Sequence, residues 1–302
     1  MRKFCKVLLI TAGIIVGIGI VLCALGFAFG GGDFMRTMSR DYKSMSATFD
    51  EVEIIEVIES SNKVKIEKSS TDEVKVTYSV CEDYSYKLSN IDGKLKIEFD
   101  DYRKWYELFK FISFDSPDLV IEVPETTLKE LNVKTTSGSI EAKELNCLDT
   151  TLKVTSGRIE AGGNLGDLNI SSTSGSVQIN SNTVAQNAEI SATSGGIEAE
   201  GFTAASLDVS SSSGSIKFRG VTAVGDMKVK CTSGSLKLEG VDAANYDLQT
   251  TSGSIRANIL APKYYDVKAT SGSTNTPDFD KNAEGVLTAR TTSGSIRIEL
   301  AD

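Results

Sequence analysis

The sequence predicts an all-β protein: a single-stranded β-solenoid (β-helix) of about 19-residue rungs with Thr-Ser-Gly turns, preceded by one N-terminal transmembrane helix. Three observations predict it: a recurring Ser-Gly turn, apolar alternation on both sides of that turn, and an uncharged run near the N-terminus. The turn glycine recurs at intervals of 19, 18, 20, 19, 20, 19, 19 and 22 residues. A nearly constant period of this size indicates a coil whose rungs stack on one another. The nine turn glycines are Gly138, Gly157, Gly175, Gly195, Gly214, Gly234, Gly253, Gly272 and Gly294.

Apolar residues occupy most of the positions seven and five before the glycines and two and four after them. In the rung of Gly214 they are Leu207, Val209, Ile216 and Phe218. Alternation with period two predicts short strands that bury one face. The Ser-Gly pair between them predicts a turn in which glycine takes φ > 0 at no steric cost and hydroxyls bond the backbone. A third apolar column, seven residues after the glycine, predicts a rung with three sides; its members are Leu145, Phe202, Val221, Val241, Leu260 and Phe279.

Residues 1–32 predict a short cytoplasmic tip and a membrane anchor. No charged residue lies between positions 7 and 29, and a helix of this length crosses about 30 Å of hydrocarbon. Three basic residues precede the run, so the positive-inside rule predicts a cytoplasmic N-terminus and an extracellular bulk. A cleaved signal peptide is the alternative, although the apolar core of a signal is usually shorter. Residues 33–45 follow as a polar spacer.

Residues 46–124 predict irregular N-terminal β rungs. Asn62 stands where later rungs carry glycine, with apolar residues at the same offsets, and Asn tolerates left-handed geometry better than most residues. Gly93 fits the same pattern and predicts a second early rung. A separate β-sandwich is the alternative for this part of the chain.

Residues 102–114 interrupt the repeat with an aromatic insert that contains the single tryptophan of the chain. Its aromatic residues recur near helical spacing. Such residues are enriched at binding surfaces, so the insert is the candidate partner-binding site; the alternative is a cover for an end or side of the solenoid. The candidate binding residues are Tyr102, Trp105, Tyr106 and Phe109.

Residues 125–302 predict the regular solenoid repeats. The last strand carries Arg290, Arg297 and Glu299. Charges on a terminal strand oppose edge-to-edge pairing. We therefore expect this strand to protect the C-terminal end of the coil.

Composition excludes several classes of function. The chain has 302 residues, 40% hydrophobic and 24% charged, which is globular rather than disordered. Its net charge of −9 repels phosphate backbones, so we expect no nucleic-acid binding. It has no histidine, which excludes histidine-based triads and most zinc sites. No phosphate-binding loop, dinucleotide fingerprint or EF-hand motif is present, and we expect no cofactor, no metal and no catalytic residue.

The five cysteines show no metal-ligand or redox spacing. Cys231 falls on an inward register position and is interpreted as a core residue. A bridge between Cys81 and Cys147 stays open, although nothing in the pattern supports it.

The segment DLVIEVPETTLKELNVKTTSGSIEA, the repeated TSGSI turns and the single N-terminal membrane segment together resemble a bacterial domain-of-unknown-function family labelled putative adhesin. LiaG-like cell-envelope proteins are members of it. The resemblance covers about residues 45–302 and implies a β-strand repeat domain outside the membrane. It supplies no catalytic residues, and both the irregular first rungs and the aromatic insert at residues 102–114 depart from its repeating pattern.

These observations favour a non-enzymatic, membrane-anchored extracytoplasmic solenoid that binds protein or cell-wall partners, in adhesion or envelope-stress signalling. The membrane would be its first partner, through residues 7–29, in a single-pass topology at the cell membrane. Two alternatives stay open at this point: a glycan-active β-helix enzyme, which needs close carboxylates in a cleft, and a passive structural scaffold.

Overall fold

The computed structural model describes residues 16–17, 19–21, 41–102, 117–278 and 280–301. The chain divides into two compact units. The first comprises Met1–Tyr42 and Tyr102–Asp115, and its described residues at positions 16, 17 and 19–21 are helical. The predicted anchor over residues 7–29 thus lies largely outside the described residues. Within the part that is described, no helix combines the length and the apolar character needed to cross a bilayer.

The second unit, Lys43–Asp101 and Ser116–Asp302, holds all the strands of the described residues. The N-terminal strands are β1 Lys43–Phe49, β2 Ile54–Glu59, β3 Val64–Lys68, β4 Val74–Val80, β5 Tyr84–Ile91, β6 Lys94–Asp101 and β7 Leu119–Val123. The regular strands are β8 Leu128–Thr135, β9 Ile140–Val154, β10 Ile159–Asn164, β11 Asp167–Ser172, β12 Val177–Ile179, β13 Val184–Ala192, β14 Ile197–Glu200, β15 Thr203–Ser211, β16 Ile216–Arg219, β17 Thr222–Cys231 and β18 Leu236–Ser252. The C-terminal strands are β19 Ile255–Ile259, β20 Tyr264–Ser271, β21 Thr274–Asn275, β22 Val286–Ser293 and β23 Ile296–Leu300.

Two long parallel ladders run along the coil, one on each side of the Ser-Gly turns. The pre-turn ladder joins β2, β8, the end of β9, β11, β13, β15, β17 and the end of β18. The post-turn ladder joins β3, the start of β9, β10, β12, β14, β16, the start of β18 and β19. Each residue lies over its counterpart in the next rung, as Ile170 lies between Leu152 and Ile190, all three buried. The predicted β-solenoid and its two inward columns are therefore confirmed.

The third inward column is confirmed for four of its six predicted members. Leu145, Phe202, Val221 and Val241 are buried. The prediction for Leu260 is wrong, because its side chain is 53% exposed. The preceding residue, Ile259, is buried instead and pairs with Val241. A register shift between Leu238 and Val241 moves the inward position by one residue. Phe279 lies outside the described residues.

The nine turn glycines form one column, but the predicted reason for them is mostly wrong. Only Gly272 (φ 142°) and Gly294 (φ 149°) have left-handed backbones. Gly214 does not; a Cβ there would overlap the carbonyl oxygen of Gly195 in the rung below. Because stacked turns bring backbone against backbone, the column requires the absence of a side chain more than it requires a positive φ.

At the N-terminal end, one of the two predicted early rungs is confirmed. β2 and β3 stack on β8 and β9, and the carbonyl of Asn62 lies beneath Gly138, so Asn62 holds a glycine position. Its φ is not positive. The prediction of a rung around Gly93 is wrong. Asp92 (φ 52°) and Gly93 (φ 75°) instead form the turn of an antiparallel hairpin between β5 and β6. β6 then extends the pre-turn ladder beside β2, and β7 extends the post-turn ladder beside β3.

At the C-terminal end, the rungs do not stack in sequence order. β22 lies between β18 and β20, and β23 lies between β19 and β21. The rung of Gly294 is thus inserted between those of Gly253 and Gly272. The terminal strand in space is β20 rather than the last strand in sequence, so the expected protection of this end by Arg290, Arg297 and Glu299 is wrong.

Candidate functional site

The candidate binding residues of the aromatic insert fall mostly outside the described residues. Tyr102 follows β6 directly and is 58% exposed. Trp105, Tyr106 and Phe109 lie in the part of the chain that is not described. The insert stays a prediction from the sequence, with one exposed aromatic residue at its start.

Inside the turns, the residue three positions before each glycine points into the coil. In several rungs it is a hydroxyl residue that bonds the turn glycines. The Ser211 hydroxyl accepts from Gly214 N at 3.0 Å, and the Thr250 hydroxyl donates to Gly234 O, also at 3.0 Å. Cys231 is buried as predicted, and its thiol donates to Gly214 O at 3.1 Å. These three side chains are buried, and their hydrogen bonds hold neighbouring turns together.

The first turn of the coil is held by a buried carboxyl group that sequence reasoning did not find. Glu59 accepts from the Tyr86 hydroxyl at 2.6 Å and from the backbone N–H of Ser60 at 2.7 Å, while Asn62 Nδ2 donates to Tyr86 at 2.8 Å. Burial raises the pKa of Glu59, against the hydrogen bonds that lower it. Burial also raises the pKa of Tyr86. The cluster joins β2 to β5 and has a structural role.

An acidic groove of about 620 Å³ runs along the outer face of the pre-turn ladder. Two of its carboxylates are held by amides of the next rung: Asn187 Nδ2 donates to Asp167 at 2.9 Å, and Asn245 Nδ2 donates to Asp226 at 3.0 Å. These bonds follow the stacking direction, as expected for a structural ladder. The carboxylates lining the groove are Asp149, Asp167, Glu189, Asp208 and Asp226.

Farther along the same face, nearer the turns, lies a second groove of about 680 Å³ that we call the hydroxyl–cation patch. One of its rows stacks in register from β15 through β17, β18 and β22 to β20: Ser210, Lys230, Gln249, Arg290 and Lys268. A parallel row next to the turns carries only hydroxyls: Ser212, Thr232, Thr251, Thr292 and Thr270. Neighbouring rungs are spaced by roughly 4.8 Å.

The hydroxyl–cation patch presents mainly hydrogen-bond donors, namely the hydroxyl groups and the cationic groups of its lysine and arginine side chains. Lys230 lies 3.7 Å from Asp247, and Arg290 forms an ion pair with Asp266, so the row carries three cations against two flanking acids. Its walls are polar and open, unlike the apolar cavities that enclose small ligands. A surface of hydroxyls and cations repeated at a fixed spacing suits an extended ligand rich in hydroxyl or anionic groups.

The described residues contain no disulfide bond and no cluster of side chains that could bind a metal ion. Cys81, Cys147 and Cys231 are free thiols, so the possible bridge between Cys81 and Cys147 is absent. Burial raises the pKa of Cys147 to about 11, which makes it unreactive at neutral pH. No group of three or more acidic or cysteine side chains in the described ranges is placed to hold a metal ion.

The sequence of this chain matches the model of a known protein family. The family model described as Toastrack DUF4097 matches residues 52–299. The chain belongs to this family. The domain-of-unknown-function family predicted from the TSGSI turns is therefore confirmed. No curated protein matches this Toastrack chain.

Several solved structures are similar to this Toastrack chain. A putative adhesin from Parabacteroides merdae has 15% identity and a TM-score of 0.45, with 87% of this chain and 97% of that chain covered. A putative adhesin from Parabacteroides distasonis has 13% identity and a TM-score of 0.46, covering 86% and 98%. A putative lipid binding protein from Parabacteroides distasonis has 19% identity and a TM-score of 0.44, covering 87% and 97%.

Proposed function

We propose that this Toastrack protein is a non-enzymatic, membrane-anchored binding protein of the bacterial cell envelope. In this proposal residues 7–29 cross the membrane, the N-terminus is cytoplasmic, and the solenoid lies outside. The solenoid binds a linear wall polymer on its outer face, and the aromatic insert serves protein partners. The names of similar structures, adhesins and a lipid binding protein, are consistent with a binding role.

The observation that carries the proposal is the hydroxyl–cation patch. It repeats polar donors at the spacing of the rungs across five strands, on a scaffold fixed by two parallel ladders and a buried core. A polymer with its own regular repeat can bond several rungs at once, and each added contact raises affinity without a further cost of association. The acidic groove, by contrast, has two of its carboxylates bound to neighbouring amides.

Co-sedimentation of the full chain, in detergent micelles, with purified bacterial cell walls tests the polymer site. The double substitution Lys230→Gln and Thr251→Val removes one charge and one hydroxyl from the centre of the patch. We expect about tenfold weaker binding, because one lost charged and one lost neutral hydrogen bond together approach about 1.4 kcal/mol or more.

Lys217→Gln is the matched control, since it removes the same charge from the post-turn ladder, where Lys217 pairs with Glu198. Equal losses in both variants would indicate unspecific charge effects and contradict the patch. Release of sugar reducing ends from the walls during the same assay would contradict the non-enzymatic proposal and favour a glycan-active enzyme.

The topology has its own test. Protease added to intact cells is expected to cleave a C-terminal epitope tag while the cytoplasmic N-terminus stays protected. A tag that becomes accessible only after lysis would overturn the extracytoplasmic location.

A further inference from the structure

The inserted C-terminal rung leaves β20 as an open sheet edge. In the described part of the chain β20 pairs with β22 alone. Its inward side chains, Tyr265, Val267 and Ala269, are only half-buried, whereas Leu287 and Ala289 beside them in β22 are fully buried. A strand whose outer side pairs with no other described strand, and whose apolar row is only half-buried, is a template for another strand.

The parity of the β20 hydrogen bonds shows which backbone groups face outward. Tyr264 N donates to Gly285 O at 3.0 Å, so in this parallel ladder the even-numbered residues bond to β22. The N–H and C=O groups of Tyr265, Val267 and Ala269 therefore point to the free edge. In an antiparallel ladder, every second residue of a strand directs both its N–H and its C=O toward the partner strand. The three outward-facing residues of β20 have this arrangement.

We propose that two copies of the chain pair through β20, antiparallel, across a two-fold axis at Val267. In this register Val267 faces itself, and Tyr265 of each copy faces Ala269 of the other. All three outward-facing residues of each strand then form hydrogen-bonded pairs. On the core side, the large Tyr265 meets the small Ala269 twice, so the half-buried row of one copy continues the row of the other.

Charge selects this partner and this register. Asp266 and Lys268 alternate on the outer face of β20. With the axis at Val267, Asp266 of each copy lies directly opposite Lys268 of the other, and opposite charges in such cross-strand pairs attract. Shifting the axis by one residue in either direction would place Asp266 opposite itself or Lys268 opposite itself, and like charges directly opposite repel. The strand is therefore complementary to a second copy of itself.

The consequence is a coil continued across two chains. An isologous contact of this kind closes at a dimer, because each β20 edge is occupied by the other copy. The β2 and β3 ends of the two solenoids then lie at opposite ends of the dimer. The inference does not depend on the envelope ligand proposed above and needs none for its test.

Sedimentation velocity of the full chain in detergent measures the pairing. Asp266→Lys and Lys268→Glu each replace two attractive pairs by two repulsive ones, so each variant alone is expected to dimerise at least about tenfold more weakly. When the two variants are mixed, the attractive pairs are restored between unlike chains, and we expect a heterodimer of wild-type affinity. Loss of the internal ion pair between Asp266 and Arg290 cannot produce that restoration.

Two further variants complete the design. Val267→Pro removes an N–H at the axis that the ladder to β22 does not use, and it is expected to abolish pairing while the chain stays folded. Lys228→Glu makes the same charge change on the outer face of β17 and is expected to leave pairing unchanged. A chain that is monomeric up to about 100 μM, or one whose association survives Val267→Pro or is not restored by mixing, would overturn the proposal.

Discussion

At the scale of single residues, Gly214 and Gly220 show two different physical reasons for a glycine: the lack of space for a side chain and a left-handed backbone. Gly214 has an ordinary φ, but a Cβ would overlap the Gly195 carbonyl; Gly220 has φ 58°, but no heavy atom lies within 4 Å of its Cβ position. We expect Gly214→Ala to cost about 3 kcal/mol or more, because the stacked rungs must separate. Gly220→Ala should cost about 1–2 kcal/mol, the strain of a left-handed alanine.

Denaturant unfolding of the two alanine variants measures both costs, provided that the unfolding free energy depends on denaturant concentration with the same slope (m-value) in both. Equal losses would contradict the steric explanation and restore the turn conformation as the reason for glycine.

Glu59 gives a second prediction, in the pH dependence of stability. Its pKa is raised in the folded state by burial, from an ordinary value of 4.5. A raised carboxyl pKa means that the folded state binds the proton more tightly, so the contribution to stability is full below pH 4.5 and is lost as the pH rises through the folded pKa. We therefore expect Glu59→Gln, which stays neutral, to gain stability relative to the wild type between pH 4.5 and pH 7.

Glu141 serves as the opposite case. Hydrogen bonds from Lys143 and Lys63 lower its pKa to about 2, so its contribution is present above pH 4.5 and lost as the pH falls toward 2. Glu141→Gln should therefore converge with the wild type in acid. Unfolding curves for Glu59→Gln and the wild type that keep a constant difference from pH 4.5 to 7 would disprove the Glu59 prediction.

At the scale of elements, the strand columns were predictable and the order of the last rungs was not. Alternation fixed the inward faces of β15 and β16, since a slip of one residue would expose every apolar side chain. Rung order is different, because the Thr-Ser-Gly rungs share one pattern of inward positions, and that pattern does not specify which rung stacks on which. The one irregular spacing, 22 residues between Gly272 and Gly294, marks the place where the chain crosses back.

The hairpin of β5 and β6 carried a signal that the repeat pattern masked. Asp92-Gly93 between two alternating strands is a strong signal for a two-residue turn with positive φ at both positions. The apolar neighbours of Gly93 fit the solenoid pattern, but Asp92 directly before it indicates the hairpin turn. Sequence also could not show the Glu59 cluster, because its partner Tyr86 is 27 residues away.

The inserted rung predicts an unusual pattern of hydrogen exchange. β22 is bonded on both sides, to β18 and β20, although it lies near the C-terminus of the chain. At concentrations where the chain is monomeric, we expect β22 amides to exchange more slowly than those of β20, whose outer edge is open. Native-state exchange read by mass spectrometry distinguishes the two strands; faster exchange in β22 would contradict the inserted order.

At the scale of the whole molecule, binding surfaces and scaffold have different origins in the sequence. The repeat specifies the core and, through its Thr-Ser-Gly turns, the hydroxyl row of the hydroxyl–cation patch. The cation row of the patch lies at outward positions that the repeat does not specify. The aromatic insert at residues 102–114 lies outside the repeat altogether. The two features therefore predict two kinds of contact, one with a polymer and one with a protein.

The insert is tested by replacing residues 102–114 with a Gly/Ser linker and comparing crosslinked partners pulled down from native membranes. We expect loss of a specific protein partner, because exposed aromatic side chains supply most of the binding energy at such contacts. Circular dichroism establishes that the strands persist. The chain carrying Lys230→Gln and Thr251→Val is the matched control and should keep that partner, since it leaves residues 102–114 unchanged. An unchanged partner list after the replacement would make the insert a cover and leave the solenoid faces as the binding surface.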